Sequence, residues 1–277
     1  MIKILVTTDL SDNSKAGLHY AIQLASQQKC QLIFFHVYNV SIPSLWSILR
    51  KGTFEKEQEL KKQQELNSFV AQIYKRLRIV PRQLTCVTQS SAMPQSAIME
   101  YAANTHCNYI CISTRGAGKL TRLLGTNTAN LINFSPVPVI AVPHNYKTTT
   151  IKSVLYASDF VSLAKELKKV VSFAKPLHAS VELLHFIAPL DTVANSEKIT
   201  AALQKSLKYD IQLNIKSRDP IESLLTSIKT AIKSSKPSML IMFTEQNRDL
   251  FQKIFNASKS AEYSFDAKIP LLVFNKS

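Results

Sequence analysis

The sequence predicts an α/β protein built from two similar domains, each an open five-stranded parallel sheet flanked by helices. Three observations predict it. Short β-branched apolar runs alternate with amphipathic segments, the pattern of right-handed βαβ units. The order of elements in the first half recurs in the second at a spacing of about 140 residues. The chain has 277 residues and 45% apolar content, enough for two separate cores.

The first half starts with an apolar strand from Ile2 to Thr8. Asp9-Leu-Ser-Asp12 ends it and opens a helix over about 13–28, with Ala16, Tyr20 and Leu24 on its apolar face. Leu32 to Val37 reads as a second buried strand. A connector over 39–53 holds Pro43, Trp46 and Gly52, and its Ile42, Leu45, Trp46, Ile48 and Leu49 form an apolar patch suited to covering a groove. A charged amphipathic helix follows over about 53–77, then a strand over 82–88. Pro94 suits the first turn of a helix running to about Asn104. The strand 109–113, a glycine-rich run, a helix to Asn133 and the strand 139–142 complete this half.

The second half repeats the order. Ser153 to Asp159 mirrors Ile4 to Asp9, and Ser180 to Ile187 mirrors Gln31 to Val37, with His185 against His36. A helix near 195–208, a strand over 211–216, a helix started by Pro220, a strand over 239–243, a further helix and Pro270 to Phe274 follow. The expected domains are 1–144 and 151–277, joined by the polar stretch 143–151.

The net charge is +15. The excess is spread over the chain, with 16 basic against 7 acidic residues in 1–150 and 18 against 12 in 151–277. Runs such as Lys165-Glu-Leu-Lys-Lys169 read as mixed, solvated helix faces. Sequence-specific nucleic-acid binding is therefore not expected, although a looser attraction to polyanions fits the charge. The four cysteines, Cys30, Cys86, Cys107 and Cys111, lack any Cys-x-x-Cys spacing and read as buried thiols. No apolar run has the roughly 18–20 residues of a membrane span, and a cytoplasmic location is expected.

Three of the five glycines, Gly116, Gly118 and Gly125, fall in one run between a strand and a helix start. Glycine after a strand lets the backbone turn sharply and approach a ligand. The hydroxyl of Thr126 and the free N–H groups of a helix start favour an anion such as phosphate. The run is neither a Walker A loop nor a dinucleotide fingerprint, because Leu120 and Thr121 stand where those motifs need other residues. Asp9 is placed either to cap the following helix or to meet a ligand. No nucleophile–base constellation and no Gly-x-Ser-x-Gly elbow occur.

Val6-Thr-Thr-Asp9-Leu-Ser11, His36-Val37, and Gly116 with Gly125-Thr126 ahead of Pro138-Val-Ile-Ala-Val142 resemble the universal stress protein family, and nearly the whole chain resembles a tandem of two such domains. The resemblance implies the Rossmann-like fold of adenine nucleotide alpha hydrolases, with the two halves paired through their last strands as an intramolecular pseudo-dimer. A homodimer of such chains is compatible with it. It also implies a stress-response regulatory protein that binds ATP or a related nucleotide, with or without Mg2+, in its N-terminal domain and hydrolyses it slowly at most. The implied binding residues are Thr8, Asp9, Val37, Ser113, Arg115, Gly116, Gly118, Gly125, Thr126 and Asn127. Asp9 would meet the ribose or adenine side, the Val37 backbone the adenine edge, and Gly116, Gly125, Thr126 and Asn127 the phosphates.

Two departures stand out. Ser113 replaces the first glycine of the family's pattern, and eight residues rather than nine separate Gly116 from Gly125. The second half has no glycine, and a gapless alignment puts Arg248 at the place of Gly116. That half reads as a degenerate domain without a nucleotide, with Asp159 capping the next helix. A protein-interaction scaffold free of nucleotide in both halves, with an unknown protein partner, is the alternative.

Overall fold

The computed structural model describes residues 1–41, 43, 46–114, 126–187, 196–217, 219, 221–243 and 268–275. They divide into two compact units, the first ending at Thr148 and the second beginning at Thr149.

In the N-terminal unit, β1 (Ile2–Thr7), β2 (Cys30–Tyr38), β3 (Leu84–Ser90), β4 (Tyr109–Thr114) and β5 (Val139–Pro143) form a parallel sheet in the order β3-β2-β1-β4-β5. Ile4, Leu5 and Val6 of β1 are fully buried because helices cover both faces of the central strand. Helix α1 (Lys15–Gln27) packs on the sheet through Leu18, Tyr20, Ala21 and Leu24. Helices α3 (Pro94–Asn104) and α4 (Thr126–Phe134) contact each other, and Pro94 sits in the first turn of α3 as expected. Right-handed crossovers place α1 and α2 on one face of the sheet and α3 and α4 on the other.

Helix α2 (Ile48–Leu77) begins five residues before its expected start. Ser47 caps it by accepting the Arg50 N–H at 3.4 Å, so the connector residues 48–52 are drawn into the helix. Only its C-terminal half reaches the core, through Leu66, Val70, Ile73 and Tyr74. Trp46 packs edge-on against Phe54 with Arg50 over its ring, while Ile48 and Leu49 are exposed. Ile42 and Leu45 of that expected patch lie outside the described residues.

The C-terminal unit repeats the plan. Strands β6 (Ser153–Ser158), β7 (Ser180–Ile187), β8 (Ile211–Ser217), β9 (Met239–Phe243) and β10 (Leu271–Phe274) run parallel in the order β10-β9-β6-β7-β8. The helices between them are α5 (Leu163–Ala174), α6 (Ser196–Leu207) and α7 (Leu224–Ser235). Helix α7 starts four residues after Pro220, because Ser223 takes the capping position and accepts the Thr226 N–H at 3.1 Å. The helix expected between 243 and 270 lies outside the described residues, as does Arg248.

Candidate functional site

The order β3-β2-β1-β4-β5 makes the chain run outward from β1 in one direction and return to continue from β4 in the other. Such a reversal opens a crevice at the carboxyl ends of β1 and β4, the place where open α/β sheets bind ligands. A cleft of about 400 Å³ occupies it. The ends of β1, β2 and β4 contribute Thr7, Thr8, Asp9, Phe35, Val37, Ile112 and Ser113. Asn13 and Ser14 come from the turn before α1, Pro94 and Ile98 from α3, and Asn127 and Thr128 from the first turn of α4.

The end of β1 is held by side chains. The Thr8 N–H donates to Phe35 O at 3.0 Å, the last rung between β1 and β2. In a continued parallel ladder, the next rungs would join Val37 N–H to Thr8 O and Leu10 N–H to Val37 O. Side chains take both of those positions. The His36 ring donates from Nδ1 to Thr8 O at 2.9 Å, and Leu10 N–H donates to Thr8 Oγ1 at 3.0 Å. Thr8 Oγ1 also meets Ser14 Oγ at 2.8 Å, tying the strand end to the start of α1. Leu10 adopts φ 63°, the left-handed conformation that turns the chain away from the sheet. The Val37 peptide therefore faces the cleft past the last rung.

Asp9 is not the cap of α1. It is exposed, and its Oδ1 accepts from Ser11 N–H at 3.1 Å and from the Ser11 hydroxyl at 2.5 Å, an Asx turn. It is the one ionisable side chain among the described lining residues, so the described walls are otherwise neutral. Ser113 is fixed from two sides. Its hydroxyl donates to Asn13 O at 2.5 Å, and Gly17 of α1 lies so close that a Cβ there would stand 3.0 Å from Ser113 N. Behind it, the Cys111 thiol donates to Gly17 O at 3.4 Å, and complete burial pushes its pKa far up. This cysteine is a packing group and not a nucleophile.

Of the residues named from sequence, Thr8, Asp9, Val37, Ser113 and Asn127 come together in the cleft. Thr126 opens α4. Arg115, Gly116, Gly118 and Gly125 lie outside the described residues. Among the residues from the helix side, sequence reasoning missed Asn13, Ser14, Pro94, Ile98 and Thr128. The signal for them was topological, since every helix that follows a strand starts at the same edge of a parallel sheet.

The C-terminal unit repeats the strand-end geometry with changes. His185 Nδ1 donates to Ser158 O at 2.8 Å, Phe160 N–H donates to Ser158 Oγ at 3.1 Å, and Phe160 has φ 68°. Asp159 Oδ1 accepts from Val161 N–H at 3.0 Å, so Asp159 closes a turn and does not cap α5. Here the register extends one position further, to Ser158 opposite His185. Phe160 also stacks on His185 with ring centroids 3.8 Å apart. His36 and His185 thus share one role, holding a strand-end carbonyl.

The universal stress protein family matches residues 1–143, and the chain belongs to that family. No curated protein matches it. Over 99% of its length it is similar to a universal stress protein from Archaeoglobus fulgidus, at 18% identity, 96% coverage of that chain and a TM-score of 0.69. A functionally unknown protein from Pseudomonas aeruginosa matches over the same share of this chain and 92% of its own, at 16% identity and a TM-score of 0.58. A universal stress protein family protein from Arabidopsis thaliana with AMP bound matches over 52% of this chain and 93% of its own, at 15% identity and a TM-score of 0.35. For the first two, at such identities, the likeness is one of fold.

Proposed function

We propose that this protein is a stress-response regulatory protein whose N-terminal unit binds ATP or a related adenine nucleotide. One observation carries the proposal: the ends of β1, β2 and β4 and the starts of α3 and α4 converge on a cleft into which the Val37 peptide opens past the last rung. An N–H and a C=O side by side on Val37, past the last described rung to β1, match the donor–acceptor edge of adenine. Phe35, Ile98 and Ile112 supply apolar wall, and the exposed Asp9 supplies a carboxylate for a ribose. Its volume lies within the range of about 300–1,000 Å³ usual for small-molecule sites.

The phosphates would lie toward Ser113, Asn127 and the start of α4, where free helix N–H groups favour an anion. Arg115, Gly116, Gly118, Gly125 and Thr126 complete that end in the family resemblance. Since the described lining is neutral apart from Asp9, the charge opposite a phosphate chain would come from Arg115, Lys119 and Arg122, and with ATP from Mg2+. Occupancy would then act by altering a surface offered to a protein partner. The C-terminal unit, with Phe160 on His185, is read as the degenerate half.

Calorimetry with ATP, ADP, AMP and adenosine, together with mass spectrometry of ligand carried through purification, tests the reading. Heat or a bound adenine compound, lost in a variant that fills the cleft such as Thr128→Trp, is expected. No heat with any of the four and no retained ligand would sink it. A nucleotide-free scaffold is the second reading. Ser113 favours it, because its hydroxyl is already spent on Asn13 O where the family pattern has a glycine.

A further inference from the structure

The run Lys165-Glu-Leu-Lys-Lys169 reads as mixed charge in sequence, and the fold unmixes it. Glu166 is only 2% exposed. Its side chain points inward from α5 and accepts a hydrogen bond from the Tyr156 hydroxyl. Leu167, Val170, Val171, Phe173 and Ala174 share that buried face. The exposed positions of α5 and the turn after it include Lys168, Ser172 and Lys175, at intervals of four and three, and no acid. Lys169 turns aside, donating to Asn275 O at 3.3 Å.

Helix α6 broadens the stripe. The order β6-β7-β8 and right-handed crossovers put α5 and α6 on the same face of the C-terminal sheet, where they touch. Near the end of α6, Lys205 and Lys208 are exposed. The face has no exposed large apolar side chain among the described residues of α5 and α6. A helix that lies in a lipid surface needs an apolar face to bury there. That of α5 is already spent on its own sheet.

We propose that this face of the C-terminal unit binds the phosphate backbone of double-stranded nucleic acid, through charge and without reading sequence. Flat arrays of lysine with no apolar wedge fit a polyphosphate, whose binding is driven by release of condensed counterions. The net charge of +15 adds a long-range attraction. The proposal is independent of the nucleotide cleft.

The test uses the full chain and a fluorescent 24-base-pair DNA duplex of arbitrary sequence, followed by anisotropy across a potassium chloride series. Binding at low salt is expected, with log K falling against log[salt] with a slope of about −3 to −4. Lys168→Gln/Lys175→Gln/Lys208→Gln should reduce the slope by about 2 to 3 without changing the circular dichroism melt. Lys56→Gln/Lys61→Gln/Lys75→Gln, exposed on α2 of the other unit, removes the same charge as a control. An equal effect of both triple variants would assign the binding to net charge and overturn the proposal. So would the absence of binding at 25 mM salt, or binding to phosphatidylserine-containing vesicles with none to the duplex.

Discussion

The two described helical glycines of the N-terminal unit, Gly17 and Gly52, should respond oppositely to the same substitution. A Cβ on Gly17 would lie 3.0 Å from Ser113 N and 3.4 Å from Ile112 C, both backbone atoms that cannot rotate away. Around Gly52 there is nothing within 4 Å. Alanine gains up to about 1 kcal/mol over glycine inside a helix. At Gly52 that gain is uncontested. At Gly17 it is set against overpacking, which costs about 1–3 kcal/mol, because α1 must retreat from β4 by a few tenths of an ångström. Gly17→Ala should therefore be neutral to about 2 kcal/mol destabilising, while Gly52→Ala stabilises by up to about 1 kcal/mol. The gap of about 1–3 kcal/mol corresponds to roughly 3–9 °C in melting temperature for a unit of this size. Thermal and urea unfolding by circular dichroism reads it directly. The same retreat moves Ser113, so nucleotide affinity should fall in Gly17→Ala and not in Gly52→Ala. Equal stabilisation by both substitutions would refute the close approach of α1 to β4.

Four further outcomes follow from the geometry. His36→Leu removes the donor to Thr8 O and should weaken adenine binding about tenfold, whereas His36→Asn, which can donate from a similar position, should retain it; calorimetry of the two variants decides. Burial, then the nearby Lys15 and Arg76 charges, lowers the pKa of His19, so the unfolded chain takes up that proton first. Stability of the N-terminal unit should accordingly fall as pH drops through the ordinary histidine range near 6.5, in urea titrations between pH 8 and 5, and His19→Gln should flatten that slope. Asp12 is lowered by its hydrogen bond to Lys15 and adds its own loss only below about pH 4. Burial raises the thiols of Cys30 and Cys86 to about 11. Cys86 is only half-buried, so a thiol reagent at pH 8 should label it slowly and before Cys30, Cys107 or Cys111, by mass spectrometry of peptides. Ser223→Ala should cost about 1 kcal/mol in the C-terminal unit by removing the α7 cap, and Ser223→Asp should restore it.

The alternation of apolar strands with amphipathic helices, the duplication, and the points where strands end were legible in the sequence, because each depends on residues near one another in the chain. So Thr8, Asp9, Val37 and Ser113 were correctly placed at strand ends, and His36 and His185 at equivalent positions. Helix starts were less legible. Ser47 and Ser223 capture the first free N–H groups, and which hydroxyl does so depends on where the helix meets its sheet. The tertiary structure alone decided the rest. Asn13, Pro94 and Asn127 share one cleft because the strand order reverses between β1 and β4, a fact about pairing over long range. Gly17 is required by a backbone approach between residues almost a hundred positions apart. Glu166, which balances its lysine neighbours when the run is read in order, turns into the core with Tyr156, leaving a cationic face. Helical periodicity places residues on faces, but only packing fixes which face is inward.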